Sequence, residues 1–67
     1  MSVARVTEIT SASSTSFEDA IVKGVERASK TLKNVKGAWV QDQTVAVENG
    51  RIAEYRVNMK VTFVLED

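Results

Sequence analysis

Neither cysteine nor histidine occurs among the 67 residues of this chain. The first absence excludes disulfides, thiolate–metal sites and cysteine nucleophiles. The second removes the commonest metal ligand and the commonest acid–base group. Net charge is missing too, because nine Lys and Arg balance nine Asp and Glu. No basic run interleaves with aromatics, which argues against a nucleic-acid or anionic-membrane surface. No apolar stretch approaches the roughly 20 residues that span a bilayer. Met1-Ser2-Val3-Ala4-Arg5 lacks the apolar core of a signal peptide. The expected setting is therefore the cytoplasm, with no membrane or nucleic-acid partner. The length allows one domain over residues 1–67 with a small core. Chains of this size usually need a disulfide, a metal or a partner to be robust, so self-association is the expected support. An enzyme would have to rely on a tuned carboxylate, a lysine or Tyr55, and no paired acids stand out. A non-enzymatic role is expected.

What the chain does have is one long alternating segment. From Arg51 onwards, Tyr55, Val57, Met59, Val61, Phe63 and Leu65 share one parity, while Glu54, Arg56, Asn58, Lys60, Thr62 and Glu66 share the other. Successive side chains of a strand point to opposite faces, so Arg51–Asp67 reads as a strand with an oily and a polar side. Its sixteen residue-to-residue steps span roughly 53 Å. The single helical pattern, of about eighteen residues, spans roughly 27 Å. One helix of that length leaves part of the apolar strand uncovered, which again implies other copies of the chain.

The remaining elements follow from local signals. Val3–Thr10 reads as a first strand, and the run Thr10-Ser11-Ala12-Ser13-Ser14-Thr15-Ser16 as a solvated turn, since it lacks the glycines and lysine of a phosphate-binding loop. A helix is expected from near Ser16. Thr15 with Glu18, or Ser16 with Asp19, fits a capping box, and Lys30 and Lys33 suit the negative end of its dipole. Phe17, Ala20, Ile21, Gly24, Val25, Ala28 and Leu32 form its apolar stripe. Gly24 on that stripe points to close approach of the helix to a sheet. Asn34–Gly37 ends the helix, Ala38–Glu48 is a second strand, and Asn49-Gly50 marks a type I′ hairpin turn. The order is β-α-β-β, an α+β class.

A tight turn at Asn49-Gly50 sets the hairpin register. It places Glu48 opposite Arg51, Val47 opposite Ile52, Val45 opposite Glu54, Gln43 opposite Arg56, Gln41 opposite Asn58 and Trp39 opposite Lys60. The other face then pairs Thr44 with Tyr55, Asp42 with Val57, Val40 with Met59 and Ala38 with Val61. Asp42 fits that apolar face poorly. The first face gathers Trp39 with Gln41, Gln43, Arg56, Asn58 and Lys60. A tryptophan among amides and cations suits stacking of a flat ring whose edges its neighbours hydrogen-bond. It equally suits a subunit interface.

The chain resembles the dodecins. The likeness is carried by the hydroxyl-rich turn before Phe17-Glu18-Asp19-Ala20, by Arg27-Ala28-Ser29-Lys30-Thr31-Leu32-Lys33-Asn34-Val35, and by the segments Glu54–Val57 and Lys60–Asp67. The resemblance implies a three-stranded antiparallel sheet wrapped around one helix, assembled as a hollow homo-dodecamer. It also implies binding and storage of riboflavin-like rings, without turnover, between symmetry-related tryptophans. Trp39, Gln41, Gln43, Arg56 and Asn58 are then the expected contacts for riboflavin or FMN. Aligned from Asn34-Val35, the family's stacking tryptophan falls at Gly37, with Trp39 two residues on, and the family's flavin-contacting Gln falls at Arg56. Some dodecins without that tryptophan are associated with calcium. A flavin-free shell stabilised by calcium or magnesium, serving as scaffold or store, is therefore the alternative expectation, and hard cations suit the oxygen ligands available here.

Overall fold

The computed structural model describes residues 2–65. Strand β1 (Ala4–Ser13), helix α1 (Phe17–Thr31), strand β2 (Val35–Glu48) and strand β3 (Arg51–Val64) follow in the expected order. They form one antiparallel sheet ordered β1-β3-β2, so the long alternating strand is central. The last two residues of the expected third strand, Glu66 and Asp67, lie outside the described residues.

α1 begins where its cap is satisfied. Ser16 is extended, at φ −170° and ψ 166°, and its hydroxyl accepts from the Asp19 backbone N–H at 3.0 Å. Of the two capping boxes in the sequence, the second therefore forms, with a modification. The Asp19 carboxylate does not reach back to Ser16. It accepts from the hydroxyl of buried Ser13 at 2.6 Å, and the Ser13 oxygen accepts from the Thr15 N–H at 2.9 Å. The serine-rich segment is thus partly strand and partly cap, and β1 runs to Ser13 rather than stopping at Thr10. At the other end α1 stops after Thr31, short of the expected eighteen residues. Leu32 is extended, and Asn34 takes a left-handed φ of 61°, which asparagine tolerates better than most residues.

The small residues Ala20, Gly24 and Ala28 are the buried ones on α1, and they let it approach the sheet closely. Val57, Met59 and Val61 of β3 are fully buried beneath it. Ile9, Phe17, Ile21, Val25 and Val40 close the core around Ala20, Val57 and Met59. Phe17 meets Tyr55 edge to face, with centroids 5.1 Å apart. At fifteen residues α1 is about 22 Å long. The subunit is 51 Å long, so the sheet extends past the helix. Val47 and Ile52, near the hairpin tip, are 60% and 51% exposed. Of the apolar parity read from the sequence, Leu65 is 45% exposed, so apolar surface is left uncovered within one subunit.

The hairpin register differs from the expected one in its middle. Glu48↔Arg51 and Val47↔Ile52 pair as expected, as do Val40↔Met59, Trp39↔Lys60 and Ala38↔Val61. Between them the ladder has slipped by one, giving Val45↔Tyr55, Thr44↔Arg56, Gln43↔Val57 and Asp42↔Asn58. The pairings Val45–Glu54, Gln43–Arg56, Gln41–Asn58, Thr44–Tyr55 and Asp42–Val57 are therefore corrected. The cause is two compensating bulges. One leaves Ala53 as an extra residue on β3, and the other leaves Gln41 as an extra residue on β2. The slip moves Asp42 from the apolar face to the polar one.

Candidate ligand-binding face

The face of the sheet away from α1 carries three successive rows of side chains across β1, β3 and β2. They are Glu8–Lys60–Trp39, Thr10–Asn58–Asp42 and Ala12–Arg56–Thr44. Rows on one face lie about 6.6 Å apart, two residues along a strand. Alternation on β3 fixes the centre of each row, and the two bulges decide which β2 residue joins it.

In the first row Trp39 is 64% exposed. The Lys60 ammonium lies over its ring, 5.5 Å from the centroid. Such a contact contributes about 0.5–1 kcal/mol at an exposed site. It covers one face of the indole and leaves the other to solvent. Gly37, two residues earlier and opposite Thr62, lies on the same face, and a side chain there would meet nothing within 4 Å. Where the family resemblance puts a ring, this chain has open space beside Trp39.

The second row is a hydrogen-bonded chain across all three strands. The Thr10 hydroxyl donates to Asn58 Oδ1 at 2.8 Å, and Asn58 Nδ2 donates to Asp42 Oδ1 at 2.6 Å. In the third row Arg56 Nε donates to Glu54 Oε1 at 2.6 Å. This pair is well exposed, so screening leaves it little weight in stability.

Of the five residues expected at the site, Trp39, Asn58 and Arg56 share the polar face. Gln41 is the bulge residue, exposed and opposite none of them. Gln43 pairs with Val57, whose side chain is buried under the helix, so Gln43 belongs to the other face. Asp42 takes the place expected for Gln41 opposite Asn58. Its poor fit against Val57 was visible in the sequence, where a bulge, an interface or water could equally have accommodated it, and the structure shows the bulge. Thr10 and Glu8 join through β1, whose register the hairpin turn does not set.

No three or more acidic side chains among the described residues cluster so as to hold a metal ion. None of the described helices is long and apolar enough to cross a membrane. Asp19 lies at the start of the helix, away from this face. The Ser13 hydroxyl donating to it, together with Lys23 at 3.1 Å, holds its carboxyl below the usual value.

The Dodecin family model matches residues 3–66. The chain belongs to the dodecin family. Calcium dodecin of Mycobacterium tuberculosis is 35% identical over 63 residues, which are 94% of this chain and 89% of that one. Among solved dodecins, the one from Streptomyces davaonensis superposes with a TM-score of 0.95 at 36% identity, covering 98% of this chain and 97% of the other. The Mycobacterium tuberculosis calcium dodecin, described as calcium chelating with a novel calcium-binding site, superposes with a TM-score of 0.83. It is 34% identical and covers 96% of this chain and 91% of its own. The dodecin fold, one helix held by a three-stranded antiparallel sheet, is therefore shared along nearly the whole chain.

Proposed function

We propose that this dodecin is a non-enzymatic, cytoplasmic protein that works as one unit over residues 1–67, assembles as a hollow dodecamer, and binds and stores a small flat aromatic ligand. A flavin, riboflavin or FMN, is the first candidate. The observation that carries the reading is Trp39. A large apolar ring stands 64% exposed on an otherwise polar face, with one side covered by Lys60 and the other open. Stacking on that open side removes apolar surface from water, at about 25 cal/mol per Å². Asn58 and Arg56 stand on the same face to meet ring carbonyls as donors, with Gln41 exposed at the bulge beside them. Gln43, on the other face, takes no part within one subunit. A two-fold axis beside Trp39 would bring two such faces together and sandwich the ligand.

The test is a titration of riboflavin and FMN followed by flavin fluorescence, in the wild type and in Trp39→Ala. Saturable quenching that disappears in the variant is expected. No quenching at tens of micromolar protein contradicts the reading.

A second reading has its own support. A 35%-identical relative is a calcium dodecin, and Gly37 lacks the ring that the family resemblance places there. In this reading the shell is held by calcium or magnesium and is flavin-free. Carboxylates repeated around a symmetry axis would supply the ligands that a single subunit does not gather. Exhaustive chelation decides it. A fall in assembly or melting temperature that added calcium restores, together with absent flavin quenching, favours the ion-held shell.

A further inference from the structure

We infer that Asn58 and Asp42 together read a ring edge on which a carbonyl and an N–H are neighbours, and that Asp42 thereby sets which flat rings Trp39 accepts. This rests on the aromatic-ligand reading above and narrows it.

Without the extra residue Ala53, the register counted from the turn would put Asp42 opposite Val57, facing the core. With it, Asp42 stands opposite Asn58 on the ligand face. The Thr10 hydroxyl donates to Asn58 Oδ1, and this bond turns the oxygen of the amide toward β1. The nitrogen is thereby turned toward β2, where it donates to Asp42 Oδ1. An amide nitrogen carries two hydrogens and an ionised carboxylate has two accepting oxygens. One of each is engaged in this bond. Neither side chain makes another hydrogen bond or ion pair among the described residues. A donor and an acceptor are left side by side.

Their position matches the ring. Asn58 alternates with Lys60 on one face of β3, so the pair lies about 6.6 Å from the Lys60–Trp39 row. In this proposal a fused ring stacked on the indole reaches across that step and sets its edge at the pair. A donor beside an acceptor selects the complementary edge, a C=O beside an N–H, as in the lactam and imide edges of flavins, pteridines and purines. Lys60 and Arg56 are donors only, so they attract carbonyls without requiring a hydrogen on the ligand. Asp42 imposes that requirement. A site built to receive an N–H rejects the analogue that lacks it, because its acceptor is then left without a partner.

The experiment compares lumiflavin with 3-methyllumiflavin, in which the imide hydrogen is replaced by methyl. Binding is followed by fluorescence in the wild type and in Asp42→Ala, with gel filtration confirming that the variant assembles as the wild type does. The expected result is a loss of about tenfold or more in affinity on methylation in the wild type, for one hydrogen bond to a charged group. In Asp42→Ala the two rings should bind alike. Saturable wild-type binding that ignores the methyl group, or an equal loss in both proteins, overturns this inference and leaves the aromatic-ligand reading standing. Absence of binding by either ring overturns both.

Discussion

Gly24 and Met59 are in such close contact that a Cβ on Gly24 would lie 2.6 Å from the Met59 methyl group. It would also lie 2.9 Å from Ser11 Cβ, which cannot swing away as a methionine end can. The glycine costs α1 about 1 kcal/mol of helix propensity relative to alanine. The close approach it permits is what covers Met59 completely.

Gly24→Ala should therefore destabilise the protein although it favours the helix. Overpacking costs about 1–3 kcal/mol, against which the propensity gain is about 1 kcal/mol. Chemical denaturation reads the net loss. A gain in stability would mean that α1 and β1 part more readily than their contacts indicate.

The start of α1 should be acid-sensitive. The folded Asp19 carboxyl lies below its usual value of 3.8, with the Ser13 hydrogen bond as the main cause and Lys23 next. A depressed pKa contributes stability that is fully present above the unfolded value and is lost as pH falls through the folded value. The sensitive window is thus below about pH 4. The Asp19 titration midpoint, followed by carboxyl-carbon NMR, should move up in Ser13→Ala. An unmoved midpoint would remove Ser13 as the cause. Separately, Ser16→Ala should cost about 1 kcal/mol through loss of the N-cap.

Phe63 is half-buried within one subunit, opposite Arg5 and Val35. Phe63→Ala should cost about 3–5 kcal/mol where assembly completes its burial. Denaturation of the assembled protein measures this. A loss well below about 1 kcal/mol would place Phe63 in solvent in the assembly as well.

Element order was legible because alternation, the helical stripe and Asn49-Gly50 are strong local signals. Trp39–Lys60 was legible for a less secure reason, since the two bulges cancel before that pair is reached. The middle register was not legible. A bulge is one residue with no necessary sequence mark, and neither Ala53 nor Gln41 announces one. Asp42 did carry a signal. A carboxylate opposite Val57 is an unfavourable burial, and a one-residue slip relieves it by placing Asp42 against Asn58. Gln43 changed faces in the same slip, which removed it from the candidate site.

The central claim is a self-assembled shell that carries an aromatic ligand. Sedimentation velocity at micromolar protein with added riboflavin, recorded at protein and flavin wavelengths, tests both halves at once. The account predicts one fast species near twelve times the 7.4 kDa chain, about 89 kDa, with flavin absorbance moving in the same boundary. A folded, stable monomer, or a large species that leaves all flavin behind, would contradict it.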